Sequence, residues 1–261
     1  MSGVSYYRDA DLPCFEIKFC DTQGLAYKIH NHEELALGIV DQGASRFWCE
    51  GSEAIVHPGS FVVIPPGIFH SCNPADRRTW RYKMLFVQLA WLEKISDNRL
   101  IFAAYAGENN LLRRAMARLA ARLTGDAAPL EKETRLVDFL TGALAGERER
   151  PLPVSGGADR KRLEMVREYL HAHYGERVTL DELESLSGFS KGYLLRLFRR
   201  EYQVSPHAYQ TVLRINFAKR QLARRRPIAE VSLEAGFYDQ SHFTKMFKQH
   251  VGSTPESYRK H

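Results

Sequence analysis

The pattern of hydrophobic and polar positions divides the chain into a β-rich part and two helical parts. Residues 15–90 consist of short apolar runs separated by Gly, Pro, Asn and Asp, which is typical of a β-sandwich or small barrel. Residues 98–146 carry apolar positions three to four residues apart, which predicts amphipathic helices. Residues 147–159 contain two prolines, two adjacent glycines and almost no large apolar side chain, which indicates a linker. From residue 160 onward helical signals dominate.

These changes predict an α+β protein of two domains, and 261 residues are enough for each to bury its own core. We expect a β-barrel domain at residues 1–97, a helical hairpin at 98–146, a linker at 147–159 and an all-α domain at 160–261. The sequence contains no apolar run long enough to cross a bilayer and begins without a secretion signal. We therefore expect a cytoplasmic protein with no membrane partner.

The hairpin prediction depends on two sets of apolar residues at helical spacing. Pro129 can open the second helix as its first residue. The first set is Leu111, Leu112, Ala115, Leu119 and Leu123, and the second is Leu136, Val137, Leu140 and Leu144. Two interpretations are open: the hairpin packs against the β domain, or part of its face pairs with a second subunit to form a homodimer.

Five predicted helix starts in the all-α domain carry a capping or proline signal. Thr179 and Glu182 have the spacing of a capping box, and Ser205 followed by Pro206 predicts the start of a long helix through Leu222. Further predicted starts are Ser190, Pro227 and the pair Thr254-Pro255.

The excess of positive over negative charge lies entirely in the all-α domain. Residues 159–261 hold 19 Lys and Arg against 12 Asp and Glu, whereas residues 1–158 hold 18 against 19. This asymmetry indicates an anionic partner for one domain, and nucleic acid is the commonest such partner. A solvated basic face is the alternative.

The four cysteines lie in the first third of the chain, and none forms a Cys-x-x-Cys pair. In a cytosolic protein we expect reduced thiols, either buried as small hydrophobic side chains or acting in redox or metal chemistry. They are Cys14, Cys20, Cys49 and Cys72.

The all-α domain contains an internal repeat. Gly188-Phe189 in the first copy corresponds to Gly236-Phe237 in the second, and the following apolar positions match when the second copy is given one extra residue. A glycine at this point allows a tight turn between two helices. The inward positions are Leu194, Leu197, Phe198, Phe243, Met246 and Phe247.

The repeat leaves a polar face on the second helix of each copy, and such a helix can enter the major groove. We predict that this face binds DNA through Ser190, Lys191, Gly192, Leu195, Arg196 and Arg199 in the first copy, and through Asp239, Gln240, Ser241, Thr244, Lys245 and Lys248 in the second. Solvent exposure is the alternative for any single residue of this set.

The two copies and the helix between them resemble the DNA-binding domain of the AraC/XylS family of bacterial transcription regulators over residues 160–260. The resemblance implies two helix-turn-helix units bridged by a long helix, binding double-stranded promoter DNA, and contact with RNA polymerase if the protein is an activator. Gly192, Leu195 and Lys245 depart from the family pattern. We therefore expect the second unit to contribute more base discrimination and the first to contribute mainly phosphate contacts.

A second resemblance, to the cupin barrel, covers residues 15–90. It is carried by His30-x-His32, and by Gly59, Pro65-x-Gly67, His70 and Asn73. In metal-binding cupins such histidines and a glutamate hold a divalent ion. Here Ala36 and Leu37 stand where that glutamate is expected. A metal site is therefore possible but not favoured; its ligands would be His30, His32 and His70, with Cys49 or Cys72 as softer ligands. No other cofactor is expected.

The favoured interpretation of the β domain is a sensor pocket for a small polar effector, and ordinary packing of the histidines is the alternative. The candidate effector-binding residues are His30, His32, Glu33, Glu34, Arg46, Trp48 and His70. The whole sequence therefore predicts an effector-responsive transcription regulator rather than an enzyme. Its rivals are a metal-dependent cupin enzyme with a DNA-binding appendage and a structural nucleoid-type DNA binder.

Overall fold

The structure, a computed structural model, describes residues 3–75, 79–95, 105–144 and 158–260. The described residues divide into two compact units. The N-terminal unit comprises residues 3–27 and 31–144, and the C-terminal unit comprises Lys28–His30 and 158–260. The predicted linker at 147–159 lies outside the described residues except for its last two positions.

The N-terminal unit is built on two antiparallel sheets. The strands are β1 (Gly3–Arg8), β2 (Phe15–Gln23), β3 (Leu35–Gln42), β4 (Ser45–Cys49), β5 (Ser52–Val56), β6 (Ser60–Ile64), β7 (His70–Pro74), β8 (Thr79–Val87) and β9 (Tyr105–Glu108). Within the described residues, the larger sheet has the order β1-β2-β8-β3-β6-β9 and the smaller sheet has the order β5-β4-β7. This arrangement confirms the predicted β-rich domain.

The larger sheet is buried on both faces, and alternate residues of each strand belong to different cores. Along β3, Leu35, Leu37 and Ile39 pack with the helices, whereas Ala36 and Val40 face the smaller sheet. The side chains of Phe47 and Cys49 on β4 join this second core. We call the space between the two sheets the barrel interior. Burial on both faces explains why the strands appear in the sequence as continuous apolar runs rather than alternating ones.

The described residues of the N-terminal unit also form the helices α1 (Leu89–Ile95), α2 (Asn110–Leu123) and α3 (Pro129–Leu144). Leu119, Leu123, Leu136 and Leu140 are buried against the larger sheet, so the packing interpretation of the hairpin is confirmed. Leu111 is 81% exposed, so this residue of the first set does not take part in the packing. The buried face of α2 is centred instead on Met116, Leu119 and Ala120, about one turn further along the helix.

The C-terminal unit is all-α, as predicted. Its helices are α4 (Ala158–Ala172), α5 (Leu180–Ser187), α6 (Lys191–Tyr202), α7 (Pro206–Ala223), α8 (Ile228–Glu234), α9 (Gln240–Val251) and α10 (Pro255–Lys260). The pairs α5–α6 and α8–α9 are the two helix-turn-helix units, and α7 connects them. Val212, Ile215, Ala218 and Leu222 of α7 are buried, which makes this helix the centre of the unit.

Most of the predicted helix starts are observed. Thr179 and Glu182 form a capping box, in which the amide of Glu182 donates to Thr179 Oγ1 and the amide of Thr179 donates to Glu182 Oε2. The amide of Ala208 donates to Ser205 Oγ. Ser190 occupies the N-cap position of α6, but its side chain makes no capping hydrogen bond, so the predicted cap is only positional.

The sequence pattern missed three elements of the N-terminal unit: β1, α1 and β9. The predicted β region, residues 15–90, ends at the second residue of α1, and the rest of this helix carries no prediction from the sequence. β9 lies inside a region predicted as helical and pairs with β6, so that β9 forms an edge of the larger sheet among the described residues. No helix of the described residues is long and apolar enough to cross a membrane.

Candidate DNA-binding face and effector site

The second helix of each helix-turn-helix unit is divided into a buried and an exposed side. Leu194, Leu197 and Phe198 of α6 are at most 4% exposed, and Phe243 and Phe247 of α9 are fully buried. Met246 is only half-buried, although the repeat predicts that it points inward. The repeat therefore encodes two similar amphipathic helices whose apolar sides pack within the unit.

The candidate DNA-binding residues lie on the opposite side of these two helices. Ten of the twelve are exposed, and Leu195 and Thr244 are half-buried. Lys191 Nζ forms an ion pair with Asp181 of α5 at 2.5 Å, and the guanidinium of Arg196 lies 5.9 Å from the ring centre of Tyr193. Asp239 caps α9, because its Oδ1 accepts the amide of His242 at 2.7 Å. The observed role of Asp239 is thus to fix the start of α9.

Gly188 and Gly236 both adopt the left-handed conformation, with φ of 67° and 78°. Their surroundings differ. A Cβ on Gly188 would meet nothing within 4 Å, whereas a Cβ on Gly236 would lie 2.1 Å from the carbonyl oxygen of Gly175. The turn of the second unit is therefore in close backbone contact with the loop between α4 and α5.

Arg214 on α7 strengthens this contact. Its Nε donates to the carbonyl of Tyr174, Nη1 to the carbonyl of Gly236 and Nη2 to the carbonyl of Glu176, each at 2.7 Å. The guanidinium also lies 5.9 Å from the ring centre of Phe237. One side chain thereby holds the loop that precedes the first helix-turn-helix unit against the turn of the second.

Sequence patterns single out neither Arg214 nor Gly175. The periodicity of α7 marks its apolar side but not a cation at the edge of that side. Gly175 follows Tyr174 in a polar turn and carries no distinguishing pattern. Only the spatial closeness of two turns, far apart in the sequence, shows why an arginine and a glycine occupy these positions.

The barrel interior contains a buried polar cluster that no sequence pattern indicates. Lys18 is 7% exposed, and its Nζ donates to the hydroxyl of Tyr27 at 3.0 Å. The hydroxyls of Tyr27 and Tyr82 are 2.6 Å apart. Burial raises the pKa of both tyrosines well above the usual value, so both hydroxyls stay protonated. The polar groups lie beside Trp80, which stacks at 4.4 Å from Tyr82.

Two of the candidate histidines meet in the same interior. The ring centres of His32 and His70 are 4.9 Å apart. Nδ1 of His32 lies 2.7 Å from the carbonyl of Glu34, and Nδ1 of His70 lies 3.0 Å from the carbonyl of Ile68. A carbonyl oxygen can only accept, so each Nδ1 carries the proton. Burial, together with nearby His32, lowers the pKa of His70 to about 3, so this ring is neutral at physiological pH.

The other candidate effector residues differ in exposure and in position. Glu33 is exposed and Glu34 is half-buried. Arg46 and Trp48 alternate along β4 with the buried Phe47 and Cys49, so they point away from the barrel interior. His30 belongs to the segment Lys28–His30, which groups with the C-terminal unit, and its Nδ1 lies 2.7 Å from the carbonyl of Lys28.

The described residues contain no group of three His, Cys, Asp or Glu side chains placed to hold a metal ion. The cysteines are free thiols, and Cys14, Cys20 and Cys49 are buried. Burial raises the pKa of Cys14 and Cys49 to about 11 and that of Cys72 to about 12, which keeps these thiols protonated and unreactive.

Comparison with known proteins identifies both units. Residues 15–140 match the model of the AraC-like ligand binding domain, and residues 184–261 match that of a helix-turn-helix domain. The HTH-type transcriptional regulator YbfI of Bacillus subtilis is 32% identical over 220 residues, which cover 82% of this chain and 80% of YbfI. The chain belongs to the AraC family of transcriptional regulators. It is thus a DNA-binding regulator with a ligand-binding domain, in a family that is not enzymatic.

Two further comparisons cover nearly the whole AraC-family chain. The probable transcriptional regulator LumQ of Photobacterium leiognathi is 23% identical over 95% of this chain and 96% of its own length. The crystal structure of ToxT from Vibrio cholerae aligns with 95% of this chain and 97% of ToxT, with a TM-score of 0.62 and 10% identity. Another structure of ToxT contains a bound unsaturated fatty acid. The likeness to ToxT shows that the two proteins share a fold.

Proposed function

We propose that α6 and α9 enter successive major-groove segments of promoter DNA. The observation that carries this proposal is that both helices bury an apolar side and expose a polar, mainly basic side. Lysine and arginine on that side can reach guanine or phosphate, and Gln240 can pair with adenine. The contacts are those of the twelve residues that the repeat marks, with Asp239 acting mainly as the cap of α9.

Substitution of one basic residue in each helix tests the assignment. Arg196→Ala and Lys245→Ala each lower affinity for a duplex selected by the wild-type protein from random DNA, by about 1–3 kcal/mol if the side chain contacts a base edge. Arg118→Ala is the control, because Arg118 is exposed on α2 in the other unit and carries the same charge. Wild-type affinity in both test variants overturns the assignment.

For the ligand-binding domain we propose that a small polar effector binds in the barrel interior. Support comes from the polar cluster of Lys18, Tyr27, Tyr82, His32 and His70 inside an otherwise apolar core. Burying such groups is unfavourable unless they form hydrogen bonds, and a ligand site gives them a function. The match of residues 15–140 to the AraC-like ligand binding domain supports this unit as the place of ligand binding.

A thermal-shift screen of sugars, amino acids, aromatic acids and fatty acids identifies the effector, because a ligand that binds the folded state raises the melting temperature. Trp80 stacks on Tyr82, so binding in the interior also changes tryptophan fluorescence. Tyr82→Phe removes one hydroxyl of the cluster and weakens binding, whereas Tyr238→Phe, an exposed position in the C-terminal unit, leaves it unchanged. Equal binding by both variants excludes the cluster as the site.

We further infer a cytoplasmic homodimer with effector sensing at residues 1–97, a hairpin at 98–146, a linker at 147–159 and DNA binding at 160–261. The hairpin supports dimerisation because Leu111 and Leu130 are 81% and 75% exposed. Light scattering over a range of protein concentrations tests this inference, because Leu111→Ser and Leu130→Ser should each weaken the dimer. Dimers that dissociate at the same concentration as the wild type contradict it. Contact with RNA polymerase follows if the regulator is an activator.

A further inference from the structure

Three consecutive arginines, Arg224, Arg225 and Arg226, join α7 to α8. Arg226 is occupied within the fold: its guanidinium binds both carboxylate oxygens of Glu234, at 2.7 and 2.5 Å, and lies 3.4 Å from Glu230. These contacts raise the pKa of Arg226 and use the two acidic side chains of α8. Arg224 and Arg225 are exposed, and among the described residues neither side chain forms an ion pair or hydrogen bond.

The backbone at Arg225 is unusual for an arginine. Its φ is 60°, in the left-handed region. The amide of Arg225 donates to the carbonyl of Leu222 and the amide of Arg226 donates to the carbonyl of Gln221, which together form a Schellman motif at the end of α7. Glycine is strongly preferred at this position, because other residues are strained there. The protein therefore retains a positive charge at a position where glycine would be more stable.

The location of these arginines suggests what they bind. They directly precede α8, the first helix of the second helix-turn-helix unit. In this motif the first helix crosses the DNA backbone while the second enters the major groove. Exposed guanidinium groups at this position match phosphate oxygens in both charge and hydrogen-bond geometry.

We propose that Arg224 and Arg225 form a phosphate clamp that binds the DNA backbone beside the groove entered by α9. The inference rests on the proposed docking of α9 and adds two contacts that the repeat does not predict. Phosphate contacts carry no base information, so the clamp raises affinity for all duplex sequences alike. It also makes binding more dependent on salt, because each neutralised phosphate releases counterions.

The variant Arg225→Gly separates charge from folding, because glycine relieves the strain while the guanidinium is removed. Its melting temperature is expected to equal or exceed that of the wild type. The slope of log affinity against log salt becomes shallower by about 0.9. When salt is raised from 50 to 200 mM, the DNA affinity of the variant therefore falls by a factor about three times smaller than that of the wild type. Arg225→Lys keeps the charge and the slope.

Two control variants separate the clamp from effects of backbone strain and of net charge. Gln203→Gly relieves another left-handed residue, with φ of 61°, without removing charge, so its slope stays that of the wild type. Arg122→Gln removes an exposed charge of α2 in the other unit and also leaves the slope unchanged. If Arg122→Gln and Arg225→Gly lower the salt slope equally, the effect comes from net charge, and the clamp is overturned.

Affinities are measured on a duplex selected by the wild-type protein and on a scrambled duplex of equal length. The clamp predicts that Arg225→Gly weakens both by the same factor, and that the double variant with Arg224→Gln weakens both further. Wild-type affinity and slope in these variants overturn the clamp. When Lys245→Ala is weakened at the same time, the docking of α9 stands and only the clamp fails. When Lys245→Ala is also unchanged, both proposals fail.

Discussion

The two turn glycines occupy equivalent positions in the repeat but differ in what surrounds them. In Gly188→Ala the new methyl group contacts nothing, so only the strain of a left-handed alanine lowers the free energy of unfolding, by about 1 kcal/mol. Gly236→Ala introduces the same backbone strain and also forces the backbone of Gly175 to move. We therefore expect a loss of about 3 kcal/mol in the free energy of unfolding.

Circular dichroism at 222 nm during urea denaturation measures both variants, since the C-terminal unit is all-α. The comparison is internally controlled, because both substitutions add one methyl group at a left-handed position. Equal losses in the two variants would mean that the close approach of Gly175 and Gly236 is not a constraint on stability.

His70 makes the stability of the N-terminal unit dependent on pH. Burial lowers the pKa of His70 to about 3 in the folded state, below the usual value of 6.5. As pH falls below about 6.5 the unfolded chain binds the proton and the folded chain does not, so stability present above pH 6.5 is lost towards pH 3. We expect a slope of up to about 1.4 kcal/mol per pH unit from this group, and a smaller slope in His70→Gln.

Tryptophan fluorescence is the appropriate signal, because Trp48, Trp80 and Trp91 are the three tryptophans of the chain and all precede residue 97. His57→Gln serves as the control, since His57 is exposed on the same unit. An identical pH slope for wild type and His70→Gln would show that His70 does not remain neutral in the folded state.

At the level of elements, Arg214 connects parts of the C-terminal unit that the chain places far apart. Arg214→Met removes three hydrogen bonds to backbone carbonyls, and we expect a loss of about 3 kcal/mol in the stability of this unit. Arg214→Lys recovers little, because a lysine cannot reproduce the planar geometry of a guanidinium.

Arg214→Met also tests how the two helix-turn-helix units are positioned relative to each other on DNA. If Arg214 holds them in one arrangement, Arg214→Met binds duplexes with altered spacing between the two contacted segments relatively better than the wild type does. Measurement of affinity across a spacing series distinguishes this role from a general loss of stability, which lowers affinity equally at every spacing. An unchanged spacing profile would limit Arg214 to a stabilising role.

The sequence predicts elements well where local signals are strong. Capping at Thr179 and Ser205 gives helix starts, and the repeated Gly-Phe pair gives both turns. It fails at β9, a four-residue strand inside a region of helical spacing, and at α1, where the predicted β region covers only the first two residues of the helix. Spacing alone places Leu111 in one set with Leu119 and Leu123, although Leu111 is exposed and the other two are buried.

At the level of the whole molecule, the exposed face of α6 and α9 that we propose to bind DNA is predictable, because a repeat marks which positions correspond. The barrel interior is not, because Lys18, Tyr27 and Tyr82 meet only after strands distant in sequence pair with each other. The cupin-like spacing predicts His32 and His70, whereas Arg46 and Trp48 lie on the wrong side of β4 for the interior. Strand registers, which local patterns do not supply, decide these cases.

The two domains imply coupling between effector and DNA. An effector that binds one arrangement of the protein more tightly shifts the population towards it, by no more than its difference in affinity. We expect gel-shift assays to show a change in promoter affinity or spacing preference when the effector is added. Identical DNA binding with and without a bound effector would contradict this coupling.

In the proposed complex with DNA, the two helix-turn-helix units of one chain read successive major-groove segments. Selection from random duplex DNA, followed by footprinting of the selected site, shows whether both units are engaged. Docking of both units predicts a defined motif whose protected segments occur in pairs on one face of the duplex, with centres about 10 base pairs apart. A selection that yields no motif, or a motif with a single protected segment, would contradict it.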